Sequence, residues 1–163
     1  MKVKKMSQIA EISENPSRPI QQFLTYRLLR AHLALNAQAS AVLDQAAGIT
    51  LGQWRVLAFI GSGDARTSRA VAAVSGLDPA QISRSLRSLE QEDLITTDRL
   101  PEDRRTLALS LTAKGRQTFE AILPIMQARQ QHLLDALSPE ERKVIVSALE
   151  KLEVASERRD FDR

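Results

Sequence analysis

The residues best suited to binding chemistry lie between positions 79 and 92, in the segment PAQISRSLRSLEQE. At about 100° per residue, Ile82, Leu86 and Leu89 fall on one side of a helix and form its expected core face. The other side combines arginines, an amide and hydroxyls, which can hydrogen-bond to guanine, to adenine and to phosphates or base edges. The side chains expected to contact DNA are Ala80, Gln81, Ser83, Arg84, Arg87 and Ser88. The alternative is an ordinary amphipathic helix with a solvated outer face.

A second charged cluster, PEDRR at 101–105, precedes a run in which every second residue is leucine. The alternation at Leu107, Leu109 and Leu111 predicts a half-buried strand, and the Leu94-Ile95 pair can begin its partner strand. The charged cluster then forms the tip of a hairpin.

This hairpin directly follows the arginine-bearing helix and is predicted to be a wing over 96–107. Arg105 at the tip can enter the minor groove of DNA, where narrow A·T stretches attract arginine. Arg104 is the expected phosphate contact, and Asp103 can brace the Arg105 guanidinium while leaving part of it free. The alternative is a solvated turn in which Asp103 and Arg105 pair only with each other.

The helix over 79–92 has a clear start signal and a short helix before it. Asp78 is a good N-cap, Pro79 suits the first helical position, and Gln81 completes the spacing of a capping box. The short helix before it, the third along the chain, is expected to be capped by Ser68, and a turn at Gly76 separates the two helices. Two helices joined in this way form a helix-turn-helix, whose second helix enters the major groove.

Longer helices are predicted on both sides of this unit. Capping residues and loops mark their expected boundaries: Ile20 and Gly48 for the first helix, Thr50 and a loop at 61–64 for the second, Thr112 for the fifth and Ser138 for the last. Pro124 lies inside the fifth helix and should kink it, because proline cannot donate to the carbonyl of Glu120.

The outer helices carry more apolar surface than a small helix-turn-helix unit can cover, which predicts a symmetric dimer. Two-fold symmetry would place the two recognition helices about 34 Å apart, one turn of DNA. Packing within one chain is the alternative. The expected division is a flexible N-terminal arm at 1–18, an N-terminal dimerisation helix at 19–47, a DNA-binding domain at 49–112 and C-terminal dimerisation helices at 113–163.

The composition argues against several other classes of protein. A net charge of +3 permits a polyanionic partner without requiring one. The absence of cysteine excludes disulfides, thiol catalysis and thiolate metal sites. The two histidines, His32 and His132, have no metal-ligand spacing, and no nucleophile or phosphate-loop motif occurs. No catalytic residue, metal or cofactor is expected. No apolar run has the length of a membrane span, and no apolar core follows MKVKKM, so a cytoplasmic protein is expected.

The stretch from ITLGQWRVLAFI through TSRAVAAVSGLDPAQISRSLRSLE to PEDRRTLALSLTAKGR, residues 49–116, resembles the MarR family of transcriptional regulators. The most specific part is the wing sequence Asp103-Arg104-Arg105, followed at fixed spacing by Leu111-Thr112 and Gly115. The resemblance implies a mainly α fold with a small β-wing, in which a winged helix-turn-helix is flanked by N- and C-terminal dimerisation helices. It also implies a homodimer on a pseudo-palindromic operator, with Arg105 in the minor groove and Asp103 orienting it.

Many members of that family are repressors relieved by small anionic or aromatic ligands, bound in a crevice between the dimer helices and the winged domain. For such a crevice the candidates are His32, Thr50, Trp54 and Arg55, since an aromatic ring can stack on a phenolic ligand and histidine can meet a carboxylate. A purely structural role in the core is the stronger alternative for Trp54. Other members sense peroxide through cysteine, which this chain lacks.

Two positions depart from the family pattern. Relatives usually have glycine where Asp93 follows the recognition helix, which predicts a strained or differently shaped C-cap. They often have arginine where Thr97 stands on the first wing strand, which predicts one phosphate contact fewer.

These observations predict a double-stranded DNA-binding transcriptional regulator, specifically a repressor that responds to a small aromatic or anionic effector and has no membrane partner. The alternative is a winged-helix module that binds an acidic protein through the same face instead of DNA.

Overall fold

The structure, a computed structural model, describes residues 20–99 and 107–160, and within these ranges the chain is mostly helical with one small sheet. The order of elements is the predicted one, four helices, a hairpin and two helices. After a short 3-10 turn, Ile20–Gln22, the elements are α1 (Leu24–Ala47), α2 (Leu51–Ser62), α3 (Ser68–Ser75), α4 (Pro79–Gln91), β1 (Ile95–Arg99), β2 (Leu107–Leu111), α5 (Ala113–Asp135) and α6 (Pro139–Ala155). The predicted arm at 1–18 lies outside the described residues.

Capping side chains begin most of these helices where the sequence predicts. The hydroxyl of Thr50 accepts from the backbone of Gln53 and the Gln53 side chain returns the bond, which completes a capping box for α2. Ser138 and Glu141 form the same arrangement at α6. Asp78 caps α4 by accepting from the Gln81 backbone at 2.8 Å, but the Gln81 side chain does not return the bond.

Three predicted boundaries were wrong. The first helix was expected from Ile20, but Ile20 lies in the 3-10 turn and α1 begins four residues later, at Leu24. Thr67, not Ser68, is the N-cap of α3, because its backbone is extended and its hydroxyl accepts from the Ala70 amide. The predicted loop at 61–64 begins later, since α2 continues through Gly61 to Ser62. Gly61 stays helical against Phe119, and a Cβ at that glycine would lie 2.8 Å from the Phe119 ring.

The core forms around α2, which contacts α1, α3, α4, α5 and β2. Val56 and Leu57 of α2 are fully buried, as are Leu43 of α1 and Leu89 of α4. Of the predicted core face of α4, Ile82 and Leu89 are buried while Leu86 is half-buried. A central α2 therefore sets where the neighbouring α4 can lie.

The two strands pair antiparallel, with Ile95 opposite Leu111 and Thr97 opposite Leu109. Leu109 is buried and Ser110 is exposed, as expected for a strand with one face on the core. An isolated bridge between Thr67 and Ala108 ties β2 to the segment before α3. The hairpin thus lies beside the helix-turn-helix, while the predicted wing tip at 100–106 lies outside the described residues.

The outermost helices leave apolar side chains uncovered. α6 has no buried residue. The exposed side chains of α1, α5 and α6 include Leu29, Leu33, Leu35, Ile125, Val144, Ile145, Val146, Leu149 and Val154. α5 runs without a break through Pro124. In the part of the chain that the structure describes, no helix has the length and apolar character needed to cross a bilayer.

Candidate nucleic-acid interface

The outer face of α4 is exposed and carries both predicted arginines. Gln81, Ser83, Arg84 and Arg87 are exposed, and so is Ala80. Within residues 20–99 and 107–160, neither Arg84 nor Arg87 has a hydrogen bond or an ion pair with another side chain or the backbone. Both guanidinium groups therefore keep their full donor capacity for an external acceptor.

Ser88, the sixth residue predicted on that face, is placed differently. It is half-buried, and its hydroxyl accepts from Gln53 Nε2 at 3.1 Å and donates to Glu92 Oε1 at 2.9 Å. The hydroxyl is therefore turned towards α2 and takes part in a contact between helices. Helical periodicity alone could not find this, because Gln53 is distant in sequence.

The C-terminal end of α4 is held by the N-cap residue of α5 and by a lysine in its first turn. The Thr112 hydroxyl donates to the Asp93 carbonyl at 2.6 Å, and Lys114 Nζ donates to the Glu92 carbonyl at 2.7 Å. The lysine also places a positive charge at the negative end of the helix dipole, which is favourable. The end of α4 that leads into the wing is thus fixed to the start of α5.

The backbone at Asp93 is strained, as expected from the sequence. Asp93 has a φ of 57° and is the only non-glycine residue with a positive φ in the described part of the chain. Glycine adopts this left-handed conformation without the steric cost that a Cβ brings, so the aspartate stores local strain at the end of α4.

Thr97 on β1 is tied to α4 as well. Its hydroxyl donates to the carboxylate of Glu90. Relatives are expected to have an arginine at this position that can bind a phosphate. In this chain the position has a threonine, whose hydroxyl is hydrogen-bonded to α4. The tip residues Asp103, Arg104 and Arg105 lie outside the described residues.

Two further arginines near this face were missed in the sequence. Arg66 and Arg69 are exposed, immediately before α3 and in its first turn. Arg69 lines a cavity of about 500 Å³ between α3, α4 and β1, together with Arg87 and Thr97. The sequence signal that could have identified them is Arg69 in the first turn of a helix, where the helix dipole disfavours a positive charge unless it serves another purpose.

A larger cavity, about 730 Å³, lies between α1, α2 and α4. Three of the four predicted ligand residues, His32, Thr50 and Arg55, line it. Asn36 Nδ2 lies 2.8 Å from His32 Nε2 at one wall of the cavity. Arg84 also lines this cavity, so one side chain belongs both to it and to the outer face of α4.

Trp54, the fourth predicted ligand residue, lies in the core instead, which agrees with the structural alternative. Its side chain is 7% exposed and does not line the cavity. The indole instead stacks on Phe119 of α5, with ring centroids 6.0 Å apart and planes at 20°. Trp54 therefore packs α2 against α5.

The remaining histidine, His132, is exposed on α5. In the ranges that the structure describes, no cluster of three or more histidine or acidic side chains could hold a metal ion. The exposed faces of α3 and α4 present cations and hydrogen-bond donors suited to a polyanion.

Comparison with known proteins agrees with this geometry. The model of the MarR family matches residues 47–106. The HTH-type transcriptional regulator BilQ of Clostridium symbiosum is 32% identical over 108 residues, which are 66% of this chain and 75% of that protein. The relatives are named as transcriptional regulators rather than enzymes.

Solved structures with the same fold include a MarR/EmrR family regulator from Acinetobacter sp. ADP1, with a TM-score of 0.77, 25% identity, and coverage of 86% of this chain and 99% of that one. The DNA complex of MepR from S. aureus has a TM-score of 0.74 and 26% identity, covering 80% of this chain and 96% of MepR. With its winged helix-turn-helix and its exposed basic α4, the chain is a member of the MarR family of DNA-binding transcriptional regulators.

Proposed function

We propose that the chain is a ligand-responsive repressor that binds a pseudo-palindromic operator as a homodimer. In this proposal α4 enters the major groove and the wing at 96–107 follows the minor groove. The observation that carries it is the exposed face of α4, whose two arginines have no partner among the described residues, on a helix secured at both ends. Such a face is suited to phosphate and base-edge acceptors.

The proposed DNA contacts divide by chemistry. Arg84 and Gln81 read base edges, because a guanidinium forks onto guanine and an amide pairs with adenine. The remaining contacts from α4 are Ala80, Ser83 and Arg87. From the wing, Arg105 enters the minor groove with Asp103 orienting it, and Arg104 binds a phosphate. Ser88 is left to the contact with α2.

The homodimer is supported by the apolar surface of the outer helices. Val144 and Val154 on α6 are 67% and 69% exposed, and Leu33 on α1 is 54% exposed. Exposed apolar side chains concentrated on a few helices are typical of an interface. We assign residues 19–47 and 113–163 to dimerisation and 49–112 to DNA binding.

The effector site is the cavity between α1, α2 and α4. His32 and Arg55 on its walls suit a carboxylate, and Thr50 offers a hydroxyl. A small aromatic or anionic acid bound there would also meet Arg84, which lines the same cavity. The ligand would then compete with DNA for that side chain, which explains how binding could relieve repression.

Selection of bound duplexes from a random pool, with and without small aromatic acids, tests the whole proposal. We expect a pseudo-palindromic sequence whose recovery falls when an acid is present. Titration of salt against random duplex DNA should show steep loss of affinity, since phosphate contacts release counterions. Absence of any binding at low salt would instead favour a module that binds an acidic protein through this face.

A further inference from the structure

A buried amide links α2 to the recognition helix. Gln53, in the first turn of α2, is 5% exposed, although glutamine is mostly found at protein surfaces. A buried amide is stable only when its polar atoms are hydrogen-bonded, so its partners show what holds it in place.

Every polar group of this amide has a partner. Gln53 Oε1 accepts from the Thr50 backbone at 2.8 Å. Gln53 Nε2 donates to Ser88 Oγ at 3.1 Å and to Glu92 Oε1 at 2.8 Å. The Ser88 hydroxyl donates to the same Glu92 oxygen at 2.9 Å, so the three side chains form a closed triangle.

The two residues held by Gln53 are one helical turn apart, Ser88 on α4 and Glu92 at its C-cap, and Arg84 is one turn before Ser88. Positions 84, 88 and 92 therefore follow one stripe along the helix. Apolar contacts through Ile82 and Leu89 hold α4 against the core, but the hydrophobic effect has no preferred direction. Hydrogen bonds do have one, and they weaken steeply when misaligned.

A small rotation of α4 matters for recognition. Turning a helix by about 10° moves a group about 6 Å from its axis by about 1 Å. That displacement is enough to misplace the paired hydrogen bonds of an arginine on a base edge, because donor–acceptor distances vary over only about 0.5 Å. Something directional must therefore set the rotation of α4.

We propose that Gln53 is a positioning residue that sets the rotation of α4, and with it the base preference of Arg84, by holding Ser88 and Glu92. This inference rests on the proposed role of α4 in reading the operator. It assigns to Gln53 and Ser88 a part in sequence specificity without contact to DNA.

Exchange of the amide and the carboxylate provides the test. Gln53→Glu sets two carboxylates against each other at the site of the 2.8 Å bond. Glu92→Gln keeps an acceptor oxygen for Gln53 and Ser88. The double variant Gln53→Glu/Glu92→Gln restores one amide facing one carboxylate with the direction of donation reversed, and its net charge equals that of the parent chain.

Binding to the selected operator and to random duplex is measured for the parent chain and the three variants, and folding is followed by circular dichroism. We expect Gln53→Glu to lower operator affinity by at least about tenfold. Affinity for random duplex should fall much less, because the only change that non-specific binding senses is the one negative charge that Gln53→Glu adds. Glu92→Gln should stay close to the parent, and the double variant should recover to within about threefold of it.

Ile60→Val is the matched control, because it removes one methylene group from the buried side of the same helix and no polar contact. It should lower thermal stability and leave the ratio of operator to random-duplex affinity unchanged. Equal losses on both duplexes in Gln53→Glu, or no recovery in the folded double variant, would overturn the role of Gln53 alone. A parent chain without any operator preference would overturn both this inference and the proposed function.

Discussion

Arg84 and Arg87 hold two positive charges that the described part of the protein does not neutralise. They are separated by one turn on α4, whose first turn has no acidic residue. Position on a helix distinguishes their roles: Arg84 also borders the larger cavity, whereas Arg87 borders the groove with α3 and β1. Arg84 is thus the better candidate for a base contact that a ligand can disturb.

Replacement of Arg84 by alanine should weaken operator binding and relax its sequence preference. Loss of a paired contact to guanine costs about 1–3 kcal/mol, which corresponds to a loss of affinity of about fivefold to about 150-fold. Competition binding against operators changed at single positions measures the effect. Arg159→Ala, at an exposed arginine beyond α6, removes the same charge and should retain the preference. Equal preference in both variants would contradict a reading role for Arg84.

Asp93→Gly should stabilise the protein, because glycine adopts the φ of 57° without steric cost. We expect the free energy of unfolding to rise by about 0.5–1 kcal/mol, measured as a higher urea midpoint with an unchanged slope. The hydrogen bond from Thr112 to the backbone carbonyl of residue 93 does not depend on the side chain. Gln91→Gly, two residues earlier at the last residue of α4, should have the opposite effect, because glycine is a poor helix former. A lower midpoint for Asp93→Gly would show that the aspartate is not strained.

At the scale of elements, local signals in the sequence predicted which helices and strands form. Asp78, Thr112 and Ser138 were identified as caps because each precedes an apolar period with suitable spacing. The cap of α3 was assigned to Ser68 instead of Thr67, since both residues have the required hydroxyl. The extended backbone of Thr67 and the hydrogen bond from the Ala70 amide distinguish them, and Thr67 also pairs with Ala108 of the distant β2.

The candidate site shows the same division between local and tertiary information. The basic outer face of α4 followed from its period, while the inward turn of Ser88 required knowledge of Gln53 on another helix. Trp54 could be assigned to the core or to a crevice until its stacking on Phe119 was known. The period of apolar residues predicts which side of a helix faces the core, but it does not predict which neighbouring helix contacts the residues at the border of that side.

The junction of α4, β1 and α5 depends on the absence of a side chain at Gly115. A Cβ there would lie 1.8 Å from the carbonyl oxygen of Leu94, far inside van der Waals contact. Gly115→Ala should therefore push α5 away from β1 and lower the free energy of unfolding by at least about 2 kcal/mol in chemical denaturation. Gln117→Ala, exposed on the same helix, should be close to neutral. Similar stability for the two variants would mean that the junction is adaptable.

At the scale of the whole molecule, the outer helices and α4 have complementary requirements. α1 and α6 expose apolar side chains that water solvates poorly, and the proposed pseudo-palindromic operator requires two copies of α4. A two-fold dimer answers both requirements, because it covers the apolar helices and offers DNA two copies of α4 about one turn apart. Assembly and operator length are therefore coupled in this proposal.

Ile145→Asp/Leu149→Asp separates assembly from DNA recognition. Both residues lie on α6, one turn apart, and are 46% and 40% exposed. Carboxylates buried in a dimer interface without partners would disfavour association, so we expect a monomer in sedimentation velocity. Operator affinity should fall by at least about a hundredfold, because the second half-site no longer binds as an intramolecular step. Affinity for a single half-site should change little, since α6 is distant from α4 in sequence and has no buried residue.

The control is Lys151→Asp, an exposed change on the same helix, and this variant should remain dimeric. A double variant that stays dimeric would place the interface elsewhere, and a monomer with full operator affinity would show that α4 and the wing of one subunit suffice for recognition.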